Sequence, residues 1–449
     1  MSRLRPAWTP DPGSGRDLCY ADVMDSVRRA NLVLGALVAV ALAIPIAALA
    51  ASGHKVPGMP LFRYDGLSGD ASGYYAASRQ FISKGATPTG AVLGLALLAV
   101  CIGLAVAMRR GRLAPHWALI AGCLALSTAV AIVIARMSAP GAAVIGWSLV
   151  WSIALLPLRI AGALREHPAF DISIALSLAA IAGTVVCTAV IGRAATGRRW
   201  IGLVAAALVA CWPLLVRPVA GASAWGNGSW NVLVGLAAYT EPLSTFLVTA
   251  ALALIIGAAP TPLRMTFAGI ALGVATLVKV SNGLLAAVIV LVCLLCLGMR
   301  RTAPLLAGGL SFLPILIAYW PLGYPKIKGP SAEKPDFVSS FSAAAHTWLD
   351  SLVFSPRTLA VLVPLAVVGG FFVRGRLALG LLVLPVLVNA ALFTTYVHTA
   401  EHPRFLYVSL PAVFVLWTAG AAGIVLAAAG RLREARSETQ SAAAGRTGT

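Results

Sequence analysis

Charge is what this sequence has least of. Asp, Glu, Lys and Arg together make up 11% of 449 residues, and only 15 positions are acidic. Soluble domains carry about a quarter charged residues, so the composition excludes an ordinary water-soluble fold. Apolar residues reach 59% and mean hydropathy is +0.89. Long apolar stretches recur throughout and leave no room for a separate soluble domain. The fold class expected is all-α, a polytopic helical membrane protein.

Cysteine is sparse too, at seven residues. Cys293 and Cys296 form a CxxC, but it sits among leucines in mid-helix with no second pair. These spacings contain neither a disulfide framework nor a metal site, and the thiols read as small apolar filler.

The one charge present in excess is positive, giving a net +19. The basic residues fall in short clusters between apolar runs, such as Arg109-Arg110-Gly111-Arg112 and Arg300-Arg301. That is how cytoplasmic loops are marked. A nucleic-acid binder would gather them on one polar face, so no nucleic-acid partner is expected.

A membrane helix needs ~20 apolar residues, fewer where its ends are buried in protein. The spans expected are Asn31–Ala51, Gly90–Met108, Trp117–Ala135, Ile172–Ile191, Ile201–Val216 and Thr240–Gly257, then Met265–Val278, Leu284–Gly298, Pro304–Leu322, Leu359–Val373, Leu377–Phe393 and Leu406–Ala428. They amount to about twelve crossings. The first follows Arg28-Arg29 and reads as an uncleaved helix. Residues 1–30 and 431–449 are polar, read as cytoplasmic tails around a single membrane domain at 31–430, and are expected to be disordered.

Val144–Leu164 is the apolar stretch left over. A crossing there would put every later basic cluster outside, so the charge bias makes it a helix lying in the interface, with Trp147, Trp151 and Arg159 as anchors. On that topology all carboxylates beyond the tails fall at the outer ends of spans or in outer loops. The short inner loops hold arginines and nothing suited to acid–base chemistry. The working face is the outer face of the plasma membrane.

Four constellations lie on that face. The first outer loop runs from Arg63-Tyr64-Asp65 to Asp70-Ala71-Ser72-Gly73-Tyr74-Tyr75. Asp70 could cap a short interfacial helix, or serve as a carboxylate beside Tyr74 and Tyr75, whose rings suit a sugar. Glu241, in Tyr239-Thr240-Glu241-Pro242, favours a helix N-terminus by dipole alone, with Thr240 as cap. It is also an ionisable group at the membrane boundary, next to a loop carrying Trp225 and Trp230. Lys279 ends a short apolar run before a tight hairpin, where a lipid phosphate could reach it. Finally, His398-Thr399-Ala400-Glu401-His402-Pro403-Arg404 precedes the last span. Two His and a Glu leave a divalent metal open, though the neighbouring proline argues against their sharing a helix face. Arg404 suits phosphate better, because guanidinium holds its oxygens bidentately.

Taken together these stretches resemble the GT-C superfamily of integral-membrane glycosyltransferases, which use polyprenyl-phosphate sugars. The similar segments are Asp70 to Tyr75, Glu241 opening a later span, the Gly269-to-Lys279 hairpin and the step Arg404-Phe405-Leu406 into a final Leu/Pro-rich span. The resemblance implies a GT-C-like fold with a long first outer loop and an interfacial helix. It implies transfer of a sugar from a polyprenyl-phosphate donor to a hydroxyl of a glycan or glycolipid acceptor, with inversion and no required cofactor. Asp70 would be the base, with Asp65 as its competitor and Glu241 as a further catalytic carboxylate. Lys279, Arg404 and His402 would hold the donor phosphate, while Tyr74, Tyr75, Trp225 and Trp230 would hold sugar or acceptor. Membrane lipids are the other partners. The Ala- and Arg-rich usage is that of a high-GC bacterium, with a cell-wall polysaccharide or lipoglycan as acceptor. Two spans are inserted after the first loop relative to the family, and it has no adjacent acidic pair.

The rival reading is a transporter or lipid flippase. Transporters show internal repeats and polar groups near the midplane. This chain shows no repeat between halves, and its ionisable residues sit at the outer boundary.

Overall fold

The computed structural model describes residues 16–52, 70–137, 145–212, 240–327, 356–395 and 407–446. Every regular element among them is a helix. In chain order these are α1 (Arg16–Ser52), α2 (Asp70–Gly85), α3 (Pro88–Arg109), α4 (Pro115–Ile134), α5 (Ile145–Ile160), α6 (Glu166–Thr196), α7 (Arg199–Ala210) and α8 (Glu241–Ile256). They continue with α9 (Pro262–Val278), α10 (Asn282–Leu297), α11 (Met299–Leu310), α12 (Leu313–Ile327), α13 (Pro356–Phe372), α14 (Arg376–Thr395) and α15 (Leu410–Arg446). Each of the twelve expected apolar stretches falls wholly or mainly on one of these helices, and Pro304–Leu322 falls on two.

Five helices are long and apolar enough to cross a membrane, or six if α11 and α12 count as one bent span. The bend between that pair is 40°. Its cause is Pro314, which has no N–H to give the carbonyl four residues back and crowds it. Ile315 then bonds to Phe312, and the Ser311 carbonyl accepts the Ser127 hydroxyl of α4 instead.

The tails differ from expectation. α1 starts at Arg16 and α15 continues to Arg446. Extending an existing helix needs no new nucleus, and the Ala, Arg and Glu of the final stretch are strong helix formers.

The helices pack through backbone contact as much as through side chains. A Cβ on Gly269 of α9 would strike the Leu305 carbonyl, and one on Gly308 of α11 would strike the Thr266 carbonyl. Small residues at such crossings are how membrane helices approach closely, since lipid supplies no hydrophobic drive between them. The glycines of the Gly269–Lys279 stretch therefore have a packing role. At the rim, α3 has no buried residue, and Val92, Leu95 and Leu98 are exposed.

The two ends of the bundle differ chemically. At one end Arg264 donates to the carbonyls of Leu254 and Ala253, closing α8, and the Arg374 amide donates to the Ala195 carbonyl at 2.6 Å. At the other end lie the starts of α6 and α8, the α9–α10 turn, and an outer layer built by α2 and α5. Gly146 of α5 sits on the backbone of Leu277 and Val278 at the tip of α9.

The two tryptophans of α5 correct the sequence reading. Trp147 and Trp151 are not interfacial anchors but fully buried, and Trp151 Nε1 donates to the Ala169 carbonyl at 2.8 Å. The face α5 turns outward is Ile153, Leu156 and Ile160. Both indoles are on the stripe facing α2, α6 and α9, where the large rings fill the layer.

Gly269→Leu should lower the thermal unfolding midpoint in detergent, because overpacking costs about 1–3 kcal/mol or more. Gly94→Leu on α3, where nothing lies within 4 Å, should leave it unchanged. Equal midpoints for both would contradict the close α9–α11 crossing.

Candidate functional site

The start of α8 and the tips of α9 and α10 converge on one ion pair. Lys279 Nζ donates to Glu241 Oε1 at 3.0 Å, with the side chains 16% and 4% exposed. Glu241 is placed by Pro242, which fixes the backbone of the first helical turn where no donor is needed. Thr240 does not cap α8 as expected. It makes no side-chain bond to the helix backbone, and its hydroxyl donates to Glu241 Oε2 at 3.4 Å. The carboxylate thus keeps both oxygens engaged.

Lys279 is the residue after α9 and takes an extended conformation, φ −152° and ψ 113°, which turns it off the helix axis. α9 has 17 residues and α10 has 16. At 1.5 Å per residue these are about 25 Å long, short of a hydrocarbon core of about 30 Å. Both fall below the length of a full crossing, in keeping with the short apolar run before Lys279.

A set of neutral polar groups surrounds the pair. Asn282 Nδ2 donates to Ser244 Oγ at 2.6 Å and to the Ala275 carbonyl at 2.9 Å. Asn389 of α14 donates to Ser409 Oγ at 2.9 Å. Glu241, Ser244, Thr245, Lys279, Asn282 and Asn389 line one small pocket. Thr245 is fully buried there, and its hydroxyl has no partner among the described residues. Chemically the pocket offers a cation, an anion and several neutral hydrogen-bonding groups in a low-dielectric setting, where each interaction is stronger than in water.

Ser409 also stands at the head of a second feature. Ser409 lines a groove of about 770 Å³ between α13, α14 and α15, whose walls are otherwise nearly all apolar. It runs along α14 from Arg376 to Ala390, and its rim residues Val363, Val367, Phe371 and Leu387 are exposed. Asn389 lines the polar pocket and Ser409 the groove, so their hydrogen bond joins the two walls.

The expected residues fare differently. Glu241 and Lys279 come together. Asp70 is the first residue of α2, in the outer layer at the same end. Tyr74 and Tyr75 are corrected: both are 6% exposed and packed in the outer-layer core, Tyr75 against Trp151 at 5.7 Å, so neither ring offers a face to a sugar. α2 has two faces and the tyrosines are on the inner one, next to Ser78, whose hydroxyl donates to the carbonyls of Tyr74 and Ser148. Asp65, Trp225, Trp230, His402 and Arg404 lie outside the described residues. Among those described, no group of three His, Cys, Asp or Glu could hold a metal.

Ser244, Asn282, Asn389 and Ser409 were not singled out from sequence. The available signal was Asn389, an amide in the middle of the apolar run Leu377–Phe393, and Asn282, three residues after Lys279. Buried amides in membrane helices need partners.

These features are those of an all-helical protein with several helices able to cross a membrane and, among the described residues, a small polar pocket around an ion pair. Comparison with protein families, with curated proteins and with solved structures gives no match.

Removing one member of a buried pair strands the other, at about 3–5 kcal/mol, whereas replacing both is far milder. Lys279→Met and Glu241→Gln should each lower the unfolding midpoint, and the double variant should recover most of the loss. Additive losses would show that the two groups are not coupled.

Proposed function

We propose that the chain is a membrane glycosyltransferase of the GT-C kind. In this reading it moves a sugar from a polyprenyl-phosphate carrier to an acceptor hydroxyl at the outer face of the plasma membrane. The observation that carries the reading is that the polar pocket and the apolar groove adjoin, Asn389 of the one bonding to Ser409 of the other. The amphiphile of this reading lays its hydrocarbon tail along α14 and brings its phosphate to the mouth of the polar pocket at Lys279, because the pocket itself, at about 10 Å³, is too small to take it in.

The reading takes all twelve apolar stretches as crossings, the arginine end as cytoplasmic, and α5 as the interfacial helix. The clustering of Arg264 and Arg374 at one end supports that orientation. An ammonium has three donor positions, so Lys279 can keep Glu241 and take a phosphate oxygen as well. Arg404, five residues before Ser409, would add a second cation. In the transfer step the base removes the proton from the acceptor hydroxyl, whose oxygen attacks the anomeric carbon. The bond from that carbon to the phosphate oxygen breaks, and the departing phosphate takes both electrons. A base so placed contributes about 10²–10⁴-fold, and fixed cations stabilise the charge growing on the leaving group. Asp70, the first residue of α2, is the base assigned, with Asp65 its alternative.

The test is transfer by purified protein in nanodiscs with a panel of radiolabelled polyprenyl-phosphate sugars. Wild type should transfer from one donor. Asp70→Asn should lose about 10²–10⁴-fold in turnover with an unchanged unfolding midpoint. Near-normal turnover in Asp70→Asn would remove that residue from the role. No transfer from any donor, together with donor-independent solute movement into vesicles, would replace the enzyme with a transporter.

A further inference from the structure

The outer layer holds another cavity that sugar transfer does not use. It is a cleft of about 510 Å³ between α2 and α5, lined by Arg79, Gln80, Ile82 and Ser83 from the first helix, and by Arg159 and Leu164 at the end of the second. We propose that this cleft binds the phosphate diester headgroup of an anionic phospholipid.

Two guanidiniums reach the cleft from separate helices. Arg79 lies over the Tyr75 ring, 5.9 Å from its centroid, which anchors the arginine beside the layer's core. Arg159 stands in the last turn of α5, two residues after Pro157 and just before the chain reverses at Gly162 (φ 68°). Guanidinium is the side chain suited to phosphate, because its planar fork matches two oxygens. Ser83 and Gln80 add neutral polar groups. The Gln80 side-chain oxygen is enclosed with no hydrogen-bond partner among the described residues, which leaves it to accept from a hydroxyl of the headgroup, not from the phosphate. Ile82 and Leu164 supply an apolar floor.

The depth of the cleft selects a lipid over a free ion. Ile153 and Ile160 of α5 are 66% and 85% exposed, with Leu156 between them. A helix presenting such a face lies at the boundary of headgroups and acyl chains. Arg159 adjoins Ile160 in sequence, which puts its guanidinium at headgroup level with acyl chains beside it. The sign of charge selects an anionic lipid. Arg79, Lys84, Arg159 and Arg165 outnumber the nearest acid, Glu166, whose charge reaches Tyr75. A zwitterionic headgroup would bring its own cation against two guanidiniums. Bound there, the lipid bridges α2 to α5 and steadies the helix that Asp70 opens.

Native mass spectrometry of the full-length protein in detergent tests this directly, with equimolar phosphatidylglycerol and phosphatidylcholine of matched chains. The first lipid retained should be phosphatidylglycerol, by at least tenfold. Arg79→Gln/Arg159→Gln should cut that retention at least tenfold, while Arg109→Gln/Arg112→Gln at the opposite end leaves it unchanged. Both cleft arginines are exposed, so the double variant should unfold at the wild-type temperature. If it does not, Arg159→Gln alone, in a terminal turn, should still show the loss. Equal retention by wild type and cleft variants would overturn the proposal. Displacement of the lipid by millimolar inorganic phosphate would overturn the choice of a lipid as occupant.

Discussion

A carboxylate and an ammonium removed from water depend on each other, and the arrangement of this protein turns on one such couple. Glu241 and Lys279 lie 3.0 Å apart between the start of α8 and the tip of α9. Taking either charge out of water alone costs several kcal/mol, so the pair fixes how those helices meet. The Asn282 amide reinforces the joint by bonding to Ser244 of α8 and to the Ala275 carbonyl of α9. A hydrophobic pair of similar volume would serve stability at least as well. Keeping charge at this position is therefore a reason to look for a ligand that needs it.

The surroundings of the pair indicate which ligand. The helices that meet at the α9–α10 turn are short, and the groove along α14 begins beside the polar pocket, across the Asn389–Ser409 bond. A polar head and an apolar tail of one molecule are thereby offered separate, adjoining surroundings. The glycine contacts of Gly269 and Gly308 hold α9 tightly against α11, which keeps the tip bearing Lys279 in place. The outer layer of α2 and α5 rests on that same tip through Gly146. Packing, charge and access therefore converge on the end of the bundle opposite the arginine clusters.

The helices were legible in the sequence because apolar length is a strong signal. So was the asymmetry of its ends, because arginines cluster in short turns. Individual side chains were harder to place. Trp147, Trp151, Tyr74 and Tyr75 carry a polar handle on a large ring, so the same residues suit a membrane interface, a sugar or a core. Only the packing of α2 on α5 decides among these, and that contact joins segments some 70 residues apart, as the Ser78–Ser148 bond shows. Glu241 and Lys279 each stood out as a boundary charge, but 38 residues separate them. Their pairing depends on α8 and α9 running antiparallel, which spacing alone does not reveal. The bond between Asn389 and Ser409 was hidden for the same reason.

The measurement that tests the central claim most directly is photo-crosslinking with a polyprenyl phosphate carrying a diazirine in its chain, followed by mapping of the labelled peptides. If pocket and groove hold one amphiphile, adducts should concentrate on α14 between residues 379 and 390 and on Ser409 and the first turns of α15, to residue 417. Excess unlabelled polyprenyl phosphate should remove them, and Lys279→Met should weaken them. Labelling spread evenly over exposed apolar helices such as α3, and insensitive to competitor, would contradict the account.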